Sequence, residues 1–283
     1  AGIPVVSTRL GAEGLASDDG ILCALADDSE GFAARILSLL DNPEGGAATI
    51  IDGQGRGSAA VFENGETSEA VLAGFTITGG YGTKDTTIPE AGYLYWGAGI
   101  CCVNASPTIK CNVITGNNGP LNMQGDDPEQ WSICYGGAVG CVHSNAIITQ
   151  NVIKDNSTYA GGGIMTYLGD PKIYNNLIYD NSANIGGGVI LLYSGQLINN
   201  TIVSNDINLS QPDSVDNFGG NVYAASYMEL GQCIIVNNII CNAKSGGGIY
   251  TEGSGEDLIA FNDVWNNLPG NYYARDPITY DMI

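Results

Sequence analysis

The chain is poor in positive charge. It holds 9 Lys and Arg against 30 Asp and Glu, which gives a formal net charge of −21 in 283 residues. A nucleic-acid-binding protein needs a basic stripe to neutralise phosphates, so this composition argues against a nucleic-acid partner. The same charge would repel a polyanionic sugar unless a metal ion lay between the two. Because Lys, Arg, Asp and Glu together are few in a chain of 283 residues, the polar surface must consist mainly of neutral side chains.

Membrane segments, a secretory signal and zinc motifs are not visible in the sequence either. No apolar run reaches the ~18 residues that a membrane-spanning helix needs, so no membrane span is predicted. The sequence opens with AGIPVVSTRL, so a leader could have been removed. The 8 Cys form no C-x-x-C pair and His143 is the single His, which argues against a structural zinc site. Two alternatives remain for the Cys residues, namely buried free thiols or, in an exported protein, disulfides.

A repeated hexad dominates the rest of the chain. Its pattern is N-x-[I/V]-x-x-N, with a degenerate copy, FTITGG, at 75–80. A short Gly-rich segment precedes each of these hexads, and we call this segment the opener. The start of an opener and the start of the next hexad are 14 to 18 residues apart. From the end of a hexad to the next opener, the intervening stretch varies from 3 to 18 residues. The hexads lie at 112–117, 151–156, 176–181, 200–205, 237–242 and 262–267, and the openers begin at Gly97, Gly136, Gly161, Gly186, Gly219 and Gly246.

These spacings predict an all-β fold, a right-handed parallel β-helix, which is a solenoid with coils of roughly 25 residues. Ile, Val, Tyr, Thr and Gly disfavour helix, and no 3.6-residue period survives the openers. Because the variable length falls at one point of the repeat, the long loops 81–96, 118–135 and 206–218 should align at one corner. Asn at the turns should bond to its counterpart in the next coil. This ladder is expected to pass through Asn156, Asn181, Asn205 and Asn242.

The stretch TIIDGQGRGSAAVFENGETSEAVLAGFTITGG at 49–80, with the GGG-I and N-x-I-x-x-N units after it, resembles the pectin-lyase-like superfamily of bacterial right-handed β-helix proteins. The resemblance covers about residues 46–267, and it implies the fold and an extracellular or cell-surface location. It does not fix the activity, since the superfamily includes lyases, glycoside hydrolases, esterases, epimerases and non-catalytic surface proteins. The GHG and R-x-K strips of its polygalacturonases are absent from this sequence.

The first 45 residues do not follow the repeat, which predicts a capping segment at 1–45 and a parallel β-helix at 46–283. Ser29 as N-cap, the apolar positions from Phe32 to Leu40 and Pro43 after the end predict an amphipathic helix that covers the open end of the solenoid. Residues 1–44 resemble the C-terminal part of a glycosyltransferase with two Rossmann domains. So short a fragment lacks nearly all of that fold, and glycosyltransferase activity is therefore not predicted for this chain. The alternative to a native capping segment is a fusion near residue 45.

Alternation along the strand after each opener separates core positions from surface positions. The outward positions form an apolar and aromatic face with one carboxylate. Such a face is either covered by the loops or a partner subunit, or it stacks on sugar rings. The predicted core column is Ile100, Val139, Ile164, Val189, Val222 and Ile249. The predicted ligand-binding residues are Trp96, Trp131, Tyr135, Tyr167, Tyr223, Tyr250 and Glu252.

Two groups of carboxylates are candidates for acid–base chemistry. In the long loops they alternate with Trp and Tyr, which suits a sugar cleft, a Ca²⁺ site or a solvated acidic loop. Asp155 and Asp180 hold the fifth position of consecutive hexads and should stack about 5 Å apart, a separation suited to retaining glycosidases, although Asp is also common at turns. His143 falls at an inward position and is interpreted as a core or turn residue rather than a base. The predicted catalytic residues are Asp126, Asp127, Glu129, Asp155 and Asp180.

These features favour a carbohydrate-active enzyme, a glycoside hydrolase that acts on a neutral polysaccharide or oligosaccharide through paired carboxylates. It requires no cofactor, with Ca²⁺ as an optional ligand. A non-catalytic extracellular surface or carbohydrate-binding β-helix protein is the first alternative, because no complete catalytic signature is present. A calcium-dependent polysaccharide lyase is the second. The sequence assigns no metal ligands and no oligomeric state.

Overall fold

The computed structural model describes residues 6–7, 24–25, 49–85, 93–122, 132–207, 219–226, 231–253 and 257–275. Regular secondary structure in these residues is entirely β-strand, and they include no helix long and apolar enough to cross a membrane. The chain divides into two compact units, Ala1–Thr49 and Ile50–Ile283. In the first unit Val6–Ser7 and Ala24–Leu25 pair in parallel. The helix predicted from Ser29 lies outside the described residues.

The second unit is built from four stacks of short strands, which the chain visits repeatedly in the same order. The opener sheet, whose strands follow the openers, holds Ala60–Phe62, Ile100–Val103, Val139–Val142, Ile164–Tyr167, Val189–Leu192, Val222–Ser226, Ile249–Gly253 and Tyr272–Arg275. The middle sheet comes next and holds Val71–Ala73, Thr108–Lys110, Ile147–Thr149, Lys172–Tyr174, Gly195–Ile198, Cys233–Val236 and Leu258–Ala260.

The other two sheets contain the hexads and the strands that follow the variable loops. The hexad sheet holds Thr49–Asp52, Phe75–Thr78, Val113–Thr115, Val152–Lys154, Leu177–Tyr179, Thr201–Val203, Ile239–Cys241 and Asp263–Trp265. The loop sheet holds Thr83–Lys84, Tyr93–Trp96, Leu121–Asn122, Ser132–Tyr135, Ser157–Ala160, Ser182–Ile185 and Asp206–Ile207.

Described pairings in the opener, middle and hexad sheets are parallel. The loop sheet adds two antiparallel pairs, one at Thr83–Lys84 and one at Leu121–Asn122. Where no long loop intervenes, equivalent residues of neighbouring coils are 24 or 25 positions apart, as Asn156, Asn181 and Asn205 are. The arrangement is all-β, with stacked parallel sheets, and it is compatible with the predicted parallel β-helix.

The core runs through the inside of the four stacks. All six residues of the predicted opener-sheet column are fully buried in one cluster, so that prediction is confirmed. The Ile at the centre of each hexad joins the same cluster, from Ile77 to Ile240. Burying an Ile side chain stabilises the fold by about 2 kcal/mol, so each repeat of this pattern adds a contribution of that size.

Two ladders of Asn, most of them buried, flank the hexad sheet, one for each Asn of the hexad. Within a ladder, the side-chain amide donates to the amide oxygen one coil further on, as from Asn156 to Asn181 at 2.9 Å. It also donates to backbone carbonyls, so the turn groups are satisfied without water. The first ladder contains Asn112, Asn151, Asn176, Asn200, Asn238 and Asn262. The second contains Asn117, Asn156, Asn181, Asn205, Asn221, Asn267 and Asn271.

The predicted ladder position of Asn242 is wrong, because the hexad frame at 237–242 is shifted by one residue. The strand register places Asn238 and Ala243 at the two ladder positions of this coil. Asn221, which comes from the opener segment, supplies the amide that Ala243 lacks. Asn242 instead occupies the turn, with φ +55. Consecutive Asn residues at 237 and 238 made the frame ambiguous from sequence.

Candidate functional site

Outward residues of the opener sheet and the loop sheet meet in a second apolar cluster, separate from the core. Residues on the outer faces of two consecutive sheets can touch only if the chain bends outward between the sheets, so this corner is concave. The first Gly of each opener makes the bend, with φ between +53 at Gly97 and +84 at Gly136. A Cβ at Gly136 would lie 2.4 Å from the backbone oxygen of Val139. Both the left-handed backbone and the close approach require Gly there.

Five aromatic rings form a continuous string in this concavity, and we call them the aromatic corner: Tyr159, Tyr135, Trp96, Tyr167 and Tyr193. In that order, successive ring centroids lie 6.2, 5.1, 5.9 and 5.4 Å apart. Tilted and edge-on ring contacts of this kind contribute about 1 kcal/mol each, so the rings hold one another in place. Trp96 is buried and the four Tyr are half-buried. The four half-buried Tyr rings are therefore held in a fixed arrangement with part of their surface exposed to solvent.

The aromatic corner rests on a buried apolar floor. Cys101, Met165 and Ile190 are almost completely buried beneath the rings, and they come from three of four consecutive strands of the opener sheet, with Gly140 at the same position of the remaining strand. Burial raises the pKa of Tyr135, and burial is also the largest cause of the raised pKa of Tyr167. Both phenols are therefore neutral at physiological pH and can donate or accept hydrogen bonds to a ligand.

Two carboxylates are bonded to rings on this outer face. The indole Nε1–H of Trp96 donates to Asp85 Oδ2 at 3.1 Å. Further along the stack, the hydroxyl of Tyr223 donates to Glu252 Oε2 at 2.9 Å. The rings of Tyr223 and Tyr250 are stacked, with centroids 5.4 Å apart and planes 7° from parallel. Negative charge is thus fixed beside aromatic rings at two places on the face.

The predicted ligand-binding residues separate into two groups. Trp96, Tyr135 and Tyr167 lie together in the aromatic corner. Tyr223, Tyr250 and Glu252 form the second group, in the later coils of the same sheet. Four of the predicted binding and catalytic residues lie outside the described residues: Asp126, Asp127, Glu129 and Trp131.

Asp155 and Asp180 lie at successive turns after the hexad strands, as their spacing predicted. Both are exposed and adopt left-handed backbone, with φ +54 and +52. Lys244 Nζ lies 2.9 Å from Asp180 Oδ1, and Lys154 Nζ lies 3.7 Å from Asp155 Oδ2. A full strand of the loop sheet, such as Ser157–Ala160, separates these turns from the aromatic corner. Their catalytic role stays a prediction, and the geometry gives them a role at the turn.

Sequence reasoning missed Tyr159 and Tyr193 and did not place Asp85 beside a ring. Tyr159 belongs to the strand between a hexad and the next opener, and alternation was applied only to the strands that follow the openers. Tyr193 holds the left-handed turn after the opener strand, with φ +78.

The inward placement of His143 is wrong. The residue follows the strand Val139–Val142 at a turn with φ +49, and its side chain is exposed. Alternation was extended one residue beyond the end of the strand, where the left-handed backbone breaks it. Within the described part of the chain, no His, Cys, Asp and Glu side chains gather in a group of three or more that could hold a metal ion.

The cysteines in the described ranges are all free, and most of them are buried. Cys102 and Cys141 face each other on neighbouring strands of the opener sheet, with both side chains in the core. Burial raises the pKa of the Cys101 and Cys134 thiols from an ordinary 9.0 to about 12. These side chains therefore behave as small apolar residues at neutral pH.

We expect the stability of the fold to decrease above about pH 9. The unfolded chain ionises its thiols near the ordinary pKa of 9.0, whereas folded Cys101 and Cys134 keep their protons up to about pH 12. A raised folded-state pKa contributes stability that is complete below pH 9 and is lost as pH rises towards 12. Urea unfolding midpoints at pH 7, 9, 10 and 11 measure the loss. The double variant Cys101→Ala, Cys134→Ala should show a flatter pH dependence, and parallel profiles would contradict the assignment.

Comparison with protein-family models, curated proteins and solved structures finds no match to this chain in any of the three.

Proposed function

We propose that this chain is a right-handed parallel β-helix of the pectin-lyase-like kind whose aromatic corner binds a linear glycan. The repeated order of four parallel sheets supports the fold. Crossover connections between parallel strands are right-handed in about 98% of cases, which supports the handedness. The glycan-binding proposal depends on one observation, namely the contiguous string of half-buried aromatic rings outside the core.

Aromatic rings are suited to sugars because the C–H faces of a pyranose are apolar while its hydroxyls need polar partners. The aromatic corner offers both, with ring surface and hydroxyls from half-buried tyrosines such as Tyr135 and Tyr167. Neighbouring coils are about 4.8 Å apart, which is comparable to the length that one pyranose unit adds to an extended chain. A glycan lying along the stack would thus meet a new coil with each sugar unit.

The rigidity of the corner favours binding. Four of its five rings stand on strands that pair on both sides, and its floor is buried. A preformed site loses little side-chain entropy when the ligand binds. An extracellular or cell-surface location, where polysaccharides are found, is part of the same proposal and is supported by the resemblance in the hexads and openers.

Hydrolysis of the bound glycan stays a prediction, because it depends on Asp126, Asp127 and Glu129, which lie outside the described residues. A reducing-end assay on neutral and uronic polysaccharides, with and without Ca²⁺ and chelator, distinguishes a hydrolase, a calcium-dependent lyase and a non-catalytic binding protein. Release of reducing ends without an unsaturated product favours the hydrolase. An unsaturated, chelator-sensitive product favours the lyase, and binding without either product favours a non-catalytic protein.

We expect Tyr167→Ala to weaken glycan binding by about tenfold, which corresponds to about 1.4 kcal/mol. Tyr167 contacts Trp96 and Tyr193, so its loss removes ring surface at the centre of the string. Isothermal titration against oligosaccharides measures the affinity, and circular dichroism verifies that the variant is folded. Tyr174→Ala is the matched control, because Tyr174 is a half-buried tyrosine on the outer face of the middle sheet. Equal effects of the two substitutions would remove the support for binding at the corner.

A further inference from the structure

We propose that the two ends of the strand stacks form an interface between copies of this chain, in which the last coil of one copy pairs with the first coil of the next. The inference concerns a surface that glycan binding does not use, and it does not depend on that proposal. Three observations lead to it: strand edges without partners, core columns that are uncovered at their ends, and complementary side chains at the two ends.

The opener and hexad sheets both end in strand edges with which no described strand pairs. In the opener sheet Ala60–Phe62 is the first strand and Tyr272–Arg275 is the last. In the hexad sheet Thr49–Asp52 and Asp263–Trp265 hold the same two places. The described pairings in both sheets are parallel. A second copy in the same orientation therefore presents its first strands to these last strands as one further coil would.

The core columns of these sheets are covered along their length and uncovered at both ends. In the opener sheet the six core residues from Ile100 to Ile249 are fully buried, whereas Tyr272, the next residue of that column, is 54% exposed. At the other end Ala60 continues the column and is only half-buried. The hexad column ends in the same way, at half-buried Val264. Both ends therefore expose apolar surface that another coil would bury.

Side chains in the first and last strands of the opener sheet complement each other. Because the two strands share the same columns, stacking two copies in register places each residue beside its counterpart. Each core pair joins a large side chain to a small one, and the outer pair joins two apolar side chains that are 39% and 41% exposed. Such pairs fill the interface without overlap or void. The core pairs are Tyr272 with Ala60 and Ala274 with Phe62, and the outer pair is Tyr273 with Val61.

The next position along these strands adds charge complementarity. Glu63 directly follows Ala60–Phe62 and is exposed, and its counterpart in the register of the last strand is Arg275. Opposite charges at facing positions of neighbouring strands favour pairing. The net charge of −21 opposes the approach of two copies at long range, and salt at physiological ionic strength screens this repulsion beyond about 8 Å.

The middle sheet does not take part in the proposed pairing. It has 7 strands, whereas the opener and hexad sheets have 8 each. Copies stacked at the spacing of the longer sheets therefore leave a gap one strand wide between Leu258–Ala260 and Val71–Ala73 of the next copy. The interface joins two different surfaces, so each copy keeps a free end and association continues beyond the dimer.

Sedimentation velocity on the full chain, from about 5 to about 500 µM in about 0.15 M NaCl, tests the proposal. We expect the sedimentation coefficient to rise with concentration past the value of a dimer. Val61→Lys and Tyr273→Lys each place a charge at one end, on an outward position, and should weaken association by about tenfold or more. Val71→Lys is the matched control, because Val71 is 51% exposed on the first strand of the middle sheet. It should associate like the parent chain, and circular dichroism verifies that all three variants are folded.

Mixing the two blocked variants separates this interface from other kinds of association. The Val61→Lys chain keeps an intact last strand and the Tyr273→Lys chain keeps an intact first strand, so an equimolar mixture should form dimers that do not grow. A monomer at every concentration of the parent chain would overturn the inference and favour the predicted capping segment at 1–45 as the cover of the first coil. Association that persists in either blocked variant alone, or that Val71→Lys weakens equally, would also overturn it.

Discussion

Replacing Asn181 with Ala should lower the free energy of unfolding by about 4 kcal/mol, measured by urea denaturation at pH 7. The Asn181 side chain donates to the carbonyls of Ile153 and Tyr179 and continues the ladder to Asn205. Its Oδ1 also accepts two bonds, from the backbone N–H and the side-chain amide of Asn156. These groups are buried, so the alanine variant leaves several of them unsatisfied at 1 to 3 kcal/mol each.

The chain contains its own evidence that a gap in the ladder is not tolerated. Where the ladder position is Ala243, the backbone N–H of Ala243 bonds to Asn267 and the missing side chain is replaced by Asn221 from another segment. Asn184→Ala is the matched control, because Asn184 belongs to the same coil, is half-buried and stands outside the ladder. We expect it to change stability by less than about 1 kcal/mol. If the two variants were equally stable, water would have to satisfy the turn, and the ladder would not be a main source of stability.

The all-β fold with stacked parallel sheets was predictable because its two strongest signals are periodic and physically independent. The hexad Ile must be buried, and the hexad Asn must be paired, so each hexad marks the same corner of each coil. The predicted hexad frame is wrong at 237–242, because Asn237 and Asn238 both fit the first position of the hexad. Only the strand register decides which of the two begins it. His143 was misplaced for a related reason, since alternation holds only inside a strand.

The candidate site was only partly predictable. Alternation identified the outward face of the opener sheet, which includes Tyr167 and Tyr223, because this needs only the strand and its first core residue. It could not show that the face is concave, since concavity depends on a left-handed Gly between two sheets. Tyr159 was therefore missed, because it reaches the corner from the neighbouring sheet. The opener Gly was read as a marker of the repeat, whereas its conformation creates the site.

Gly136→Ala should cost about 4 kcal/mol of stability and weaken glycan binding even where the variant is folded. A Cβ at this residue would lie 2.4 Å from the backbone oxygen of Val139 and 2.6 Å from the Cα of Gly140. Both atoms belong to the backbone of a paired strand, so neither can move without opening the corner. The residue also directly follows Tyr135, whose ring would turn away from Trp96. Urea denaturation and isothermal titration on the same preparation measure the two effects.

Two other glycines of the same unit separate the causes of this expected loss. Gly55 adopts φ +66 but a Cβ there would meet nothing within 4 Å, so Gly55→Ala reports the cost of left-handed backbone alone, about 1 kcal/mol. At Gly57 there is equal space without a left-handed φ, so Gly57→Ala should be nearly neutral. The predicted order of destabilisation is therefore Gly136, then Gly55, then Gly57, with loss of binding only for the first. A Gly136→Ala protein as stable as Gly55→Ala would mean that the corner can open at little cost, and the rigid concavity on which ligand binding depends would have to be given up.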